Sequence, residues 1–191
     1  MAMPQTVPLP LRGPFTVADY NRMAETGLLD AKARVELLDG LIVQMSPMGS
    51  RHAGCVTRLT RFFILASDDR VTVRPQVPAI LDEYSEPEPD VAVLKYRADG
   101  YAVAHPGPDD VLLLIEVMDS SVYRDRGLKL PLYARAGIRE LWLVDLEEDV
   151  VDVYQEPCPD GYAVERRAVR GERLTPHLLD DVTLSADDIL G

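Results

Sequence analysis

The chain has 191 residues, 47% of them apolar and 27% charged, which suits one folded domain and excludes a disordered or fibrous chain. Its formal charge of −12 lacks the basic footprint on which polynucleotide binders rely, so such a partner would need a local cationic patch or a bound divalent metal. Two widely separated cysteines, Cys55 and Cys158, exclude a disulfide framework and a thiolate zinc site, and suit a reducing compartment.

Residues 1–14, MAMPQTVPLPLRGP, read as an extended arm with no apolar stretch of signal-peptide length. The apolar run Val111 to Ile115 is far too short to span a bilayer. No membrane partner and a cytoplasmic location are therefore expected. The rest, residues 15–191, reads as a single domain. Thr16 is placed to N-cap a first helix, with Asp19 in its first turn, Phe15 stapled onto Tyr20 and Gly27 as the stop. RVELLDGLIVQM follows, two apolar runs joined by Asp39-Gly40, a strong hairpin signal. A second helix starts near Ser50, with Val56, Leu59 and Phe63 at helical spacing and Arg51, Arg58 and Arg61 left polar.

Strands are predicted over Val71 to Val77, Asp90 to Leu94 and Val111 to Val117, with an irregular loop across 95–110. A third helix is expected from Arg124 to Ala136, stopping at Gly137 and leading into Glu140 to Asp145, a strand apolar enough to be buried on both faces. A turn through Glu147-Glu148 returns the chain along Val150 to Tyr154, and one more strand follows from Tyr162. The crossover between the Glu116 strand and the Trp142 strand should be parallel and right-handed. The fold class is thus α/β, with a mixed sheet and helices against it.

Most of the 32 acidic residues must be solvated, but two have unusual settings. Asp90, in PEPDVAV, opens an apolar strand; Glu116, in LLLIEVMDS, closes one. If these strands pair antiparallel with Asp90 opposite Glu116, Ala92 faces Leu114 and Leu94 faces Leu112, apolar on apolar. Facing Cβ atoms lie about 5 Å apart, close enough to share one divalent cation. Two carboxylates that close repel each other unless a cation lies between them. Asp109 offers a competing Pro-Asp, but it sits near the opposite end of the Glu116 strand, about 23 Å away at strand rise.

The order ELLDG, helix, PEPDVAV, LLLIEV and KLPLYARAGIRELWLVD resembles the Uma family of restriction-endonuclease-like proteins, in the PD-(D/E)XK nuclease superfamily. The resemblance covers roughly residues 15–155. It implies an αβββαβ core whose first helix is about residues 51–65, an added N-terminal helix and hairpin, and a Mg²⁺- or Mn²⁺-dependent site that hydrolyses DNA. Carried over by position, Asp90 and Glu116 become catalytic metal ligands and Glu36 a third acid completing the site. The lysine expected two places after Glu116 is replaced by Met118, and the resemblance supplies Lys129 from the next helix instead. His52 also fits the family pattern, in a structural, phosphate-contacting or catalytic role. Arg51, Arg124 and Arg126, with Arg58, Arg61 and Arg135, either form a cationic rim for the DNA backbone or are ordinary solvated helix faces.

Two departures stand out. Pro131 falls inside the expected helix, where it would crowd the carbonyl of Gly127, and MDSSVYRDRG replaces a Ser-Pro-Ser-Thr sequence common in such proteins. Two other readings compete with a metal-dependent nuclease. One is a catalytically weakened module of the same fold that binds DNA or protein, for instance as a homodimer. The other is a structural acidic protein without a ligand.

Overall fold

A computed structural model describes residues 13–30, 32–119 and 125–191. Most of the proposed N-terminal arm and Arg124 lie outside these residues. The first helix, α1 (Val17–Glu25), starts as its sequence requires: Thr16 and Asp19 form a reciprocal capping box. Gly27 follows the helix with φ +74°. Strands β1 (Val35–Leu38) and β2 (Leu41–Gln44) form the hairpin, and both turn residues, Asp39 (φ 48°) and Gly40 (φ 73°), adopt the left-handed conformation that a tight two-residue turn demands.

Helix α2 (Ser50–Ala66) buries Cys55, Val56, Leu59 and Phe63 and is followed by β3 (Val71–Pro75), β4 (Val91–Lys95) and β5 (Val111–Met118). A π turn, Asp125–Lys129, leads into α3 (Leu130–Arg135). Then come β6 (Glu140–Asp145), β7 (Val150–Cys158), β8 (Gly161–Val169), the short pair β9 (Arg173–Leu174) and β10 (Leu184–Ser185), and α4 (Ala186–Leu190). The main sheet runs β3-β4-β5-β6-β7-β8, antiparallel except for the parallel β5–β6 pair bridged by α3. This is the expected αβββαβ core in a mixed sheet.

Alternation along the central strands divides the core. Val91, Val93, Ile115, Val117, Trp142 and Val144 face α2 and the C-terminal segment. Ala92, Leu94, Leu114, Leu141 and Leu143 face α3, the hairpin and the 77–90 connection. Every residue of β6 is buried, as its apolar run requires. Each fully buried large side chain of this kind stabilises the fold by roughly 1.5–3 kcal/mol.

Four local expectations need correction. β3 ends at Pro75 rather than Val77, because Gln76 takes a positive φ of 51° and turns its N–H to the Asp90 carbonyl. The β4–β5 register holds for Ala92 with Leu114, but a bulge after Val93 sets Leu94 opposite Val111 instead of Leu112. The 95–110 loop ends in a 3₁₀ turn, Pro108–Asp110, immediately before β5. The third helix is not one regular helix. The wide π turn places Pro131 in the first turn of α3, where a missing N–H costs nothing.

Candidate active site

Four elements bring their polar residues to one end of the sheet. Glu116 stands two residues before the end of β5, Asp90 directly precedes β4, Glu36 lies on β1, and Lys129 ends the π turn. The hairpin is held there by paired backbone bonds between Leu37 and Glu86, at 2.8 and 3.3 Å. Glu36 is fully buried, while Glu116 and Lys129 are each 2% exposed, so their charges must be satisfied locally.

Lys129 meets that demand. Its Nζ lies 3.0 Å from Glu116 Oε1 and 3.0 Å from Glu36 Oε2, and it donates to the Glu88 carbonyl at 3.4 Å. Tyr133, one turn along the helix, donates to the same Glu116 Oε1 at 2.6 Å. Glu36 Oε2 also accepts the Glu88 N–H at 3.2 Å, fastening the hairpin to the segment before Asp90. Burial pushes the Glu116 carboxyl up, to about 8, against the pull of Lys129 and with help from Asp125, Asp90 and Glu36. Burial alone would depress the Lys129 ammonium, but Glu116, Glu36, Asp125 and Asp90 outweigh it and hold the lysine above its ordinary value.

Asp90 is fixed differently. One oxygen, Oδ2, accepts the Val117 N–H at 2.9 Å, replacing a ladder acceptor just beyond the β4–β5 pairing. The same oxygen meets His52 Nε2, from the first turn of α2, at 3.0 Å. The other, Oδ1, accepts from Gln76 Nε2 at 3.3 Å. Burial raises the Asp90 carboxyl, but the His52 bond and charge, Lys129 and the Val117 N–H prevail and leave it below the usual range. For His52 the burial effect is downward, and the Asp90 bond reverses it, so the imidazole stays charged to higher pH than usual.

Asp90, Glu116, Lys129 and His52 open onto a cleft also lined by Arg34, Gly49, Glu88, Asp119 and Asp125. Gly49 N-caps α2 with no side-chain cap bond, and a Cβ there would stand 2.9 Å from Asp119 Oδ2. Glycine therefore lets a carboxylate approach the helix start. Among the described residues, no three His, Cys, Asp or Glu side chains already form a metal cage, and the Lys129 ammonium lies between Glu36 and Glu116.

Asp90, Glu116, Glu36, Lys129 and His52 thus meet, as the sequence suggested. The arginine rim does not form as expected. Arg126 is turned to Asp152 and Tyr154, Arg135 to Asp39, Arg51 to the Leu146 carbonyl and Arg58 to the carbonyls of Ile189 and Leu190. Those partners come from distant segments that give no local cue. The sequence reading also missed Glu88, Arg34, Asp119, Asp125 and Tyr133. For Asp125 and Tyr133 a signal existed, since both sit four residues from Lys129, one helical turn to either side.

A mixed sheet with an antiparallel meander, a helical crossover to a parallel strand, and an Asp and a Glu at adjoining strand ends defines a restriction-endonuclease-like fold. The sequence model of the family described as "Uma2: Putative restriction endonuclease" matches residues 17–187, and the chain belongs to that family. Its fold resembles the crystal structure of "a putative nuclease belonging to DUF820" from Anabaena variabilis ATCC 29413, with a TM-score of 0.73 and 15% identity over 93% of this chain and 98% of that one. No curated protein matches the sequence. No helix among the described residues is long and apolar enough to cross a membrane.

Proposed function

We propose that this chain is a metal-dependent nuclease that hydrolyses DNA phosphodiester bonds. The observation that carries this reading is the 3.0 Å approach of Lys129 Nζ to Glu116 Oε1 beside Asp90. The lysine missing at position 118 is returned to the Glu from another element.

The donor set suits a hard divalent cation. Five carboxylates line the cleft (Glu88, Asp90, Glu116, Asp119 and Asp125) against Arg34, Lys129 and His52, and no thiolate is among them. Asp90 and Glu116 would hold Mg²⁺ or Mn²⁺. Lys129 and Tyr133 both bond Glu116 Oε1, which leaves Oε2 for the cation. Glu36 then serves to hold Lys129. A bound cation would supply an activated water and neutralise phosphate charge.

The chain's own groups do the positioning. Lys129 and Tyr133 fix the Glu116 carboxylate, while His52 and the Val117 N–H fix Asp90. The first turn of α2, which has no side-chain cap, would present its N–H groups to a phosphate bound in the cleft.

The acid excess of the cleft favours a second reading, a module that binds DNA or protein without turnover, as a monomer or a homodimer. Plasmid nicking with Mg²⁺ or Mn²⁺ separates the two. Cleavage that needs metal and is lost in Asp90→Ala, Glu116→Gln and Lys129→Met variants supports the nuclease. A folded wild type that binds DNA but cleaves none with either metal sinks it.

A further inference from the structure

Beside the cleft runs an apolar groove between the outer face of α2 and the edge strand β3, floored by Val56, Ile64, Leu65 and Pro75. Ile64 is 51% exposed and Leu65 70%, unusual for neighbouring large apolar side chains on a surface helix. The groove is continuous with the cleft. Met48 lines both, and Gln76, in the groove wall, donates to Asp90 Oδ1 at 3.3 Å and to Met48 Sδ at 3.1 Å.

Charge identifies the occupant. The whole chain carries 32 acidic residues, yet α2 has none in SRHAGCVTRLTRFFILA, nor has β3 in VTVRP, and no carboxylate lines the groove. Arg61 stands exposed at the groove rim with no hydrogen-bond or ion-pair partner among the described residues. Arg51 and Arg58 do not line the groove; their guanidiniums bond the backbone carbonyls of Leu146, Ile189 and Leu190. In an acidic molecule the lining of this groove is free of acid, although exposed Asp68 and Asp69 follow α2 closely. A second copy on this face would bring its Arg61 onto a groove whose lining offers no carboxylate to pair with it.

We infer that the α2–β3 groove binds a single-stranded stretch of the polynucleotide substrate, a phosphate at Arg61 and its bases on the aliphatic floor, leading the strand to Asp90 and Glu116. This rests on the nuclease reading and extends it to the form of the substrate. Unpaired bases expose the apolar faces such a floor can cover, whereas a duplex hides them. Leu, Ile, Met and Pro side chains are all known to pack against unstacked bases.

The test is fluorescence anisotropy with a labelled single-stranded 20-mer, and the matching duplex, in EDTA and across a salt series. Arg61→Glu should weaken single-strand binding severalfold, and Arg61→Gln should lower the salt slope by roughly 0.7, the share of one single-strand phosphate contact. Leu65→Glu should weaken single-strand binding more than duplex binding. Arg139→Glu, an exposed change elsewhere, should leave binding as in wild type. Wild-type binding by both Arg61 variants overturns the proposal. So does a sedimentation dimer that Leu65→Glu dissociates while DNA binding persists, since the groove then seats a second copy. Arg61-dependent binding with no metal-dependent cleavage keeps the groove and removes the nuclease; cleavage that ignores Arg61 does the reverse.

Discussion

Lys129 shows how much one side chain carries here. A fully buried ammonium between two buried acids is stable only as a set, because removing the cation leaves two desolvated acids facing each other with nothing to balance ionisation of either. Lys129→Met should therefore cost about 3–5 kcal/mol in urea denaturation. Adding Glu36→Gln should recover part of that loss, since one of the stranded acids is gone. If the double variant is no more stable than the single, the triad is not coupled as described. Tyr133→Phe removes only the 2.6 Å bond to Glu116 Oε1 and should cost about 1.5–3 kcal/mol, as for other bonds to charged groups.

At the scale of elements, two local devices hold the site. In the β1–β2 turn, a Cβ on Gly40 would meet Pro14 Cβ at 2.5 Å, and its φ of +73° disfavours any side chain. Gly40→Ala should destabilise the protein by about 1–3 kcal/mol and loosen the hairpin that presents Glu36. The second device is the π turn. Arg126 bonds Asp152 of β7 and Tyr154, and Arg167 bonds the same Asp152 at 2.7 and 3.1 Å, so the turn between Asp125 and Lys129 is tied to the sheet. Burial raises the Asp152 carboxyl, but the Arg167 and Arg126 bonds outweigh it and keep it below its ordinary value. A depressed folded pKa gives stability that is present above the unfolded value of about 3.9 and lost as pH falls through the folded one. Asp152→Asn should thus flatten the acid limb of a stability–pH curve below about pH 4. An unchanged acid limb would show that the clamp contributes nothing there.

For the molecule as a whole, the charge of −12 sets two responses that a melting experiment can tell apart. Self-repulsion among surface acids is screened by any salt, so moderate NaCl should raise the melting temperature of wild type and variants alike. A cation bound at Asp90 and Glu116 stabilises by mass action, so millimolar Mg²⁺ or Mn²⁺ at constant ionic strength should raise the wild type further but not Asp90→Ala/Glu116→Ala. Equal shifts in both proteins would mean that the ions only screen.

What the sequence determined by itself was local or periodic. The Thr16–Asp19 cap, the Asp39-Gly40 turn, the α2 stripe and the buried β6 each depend on residues a few positions apart, and the facing of Ala92 with Leu114 follows from the apolar patterns of two successive strands. Asp90 and Glu116 stood out because an acid at the end of an apolar strand is anomalous within its own segment. The tertiary structure alone decided which charges meet: Lys129 with both Glu36 and Glu116, Asp90 with His52 and the Val117 N–H, Arg126 with Asp152. A buried ion takes whatever partner the packing brings within about 3 Å, and that choice is fixed by the crossover of distant elements rather than by spacing along the chain. The same holds for the bulge after Val93 and the π turn before Pro131, where the competing demands of register and a missing N–H are settled only when the strands and helix pack.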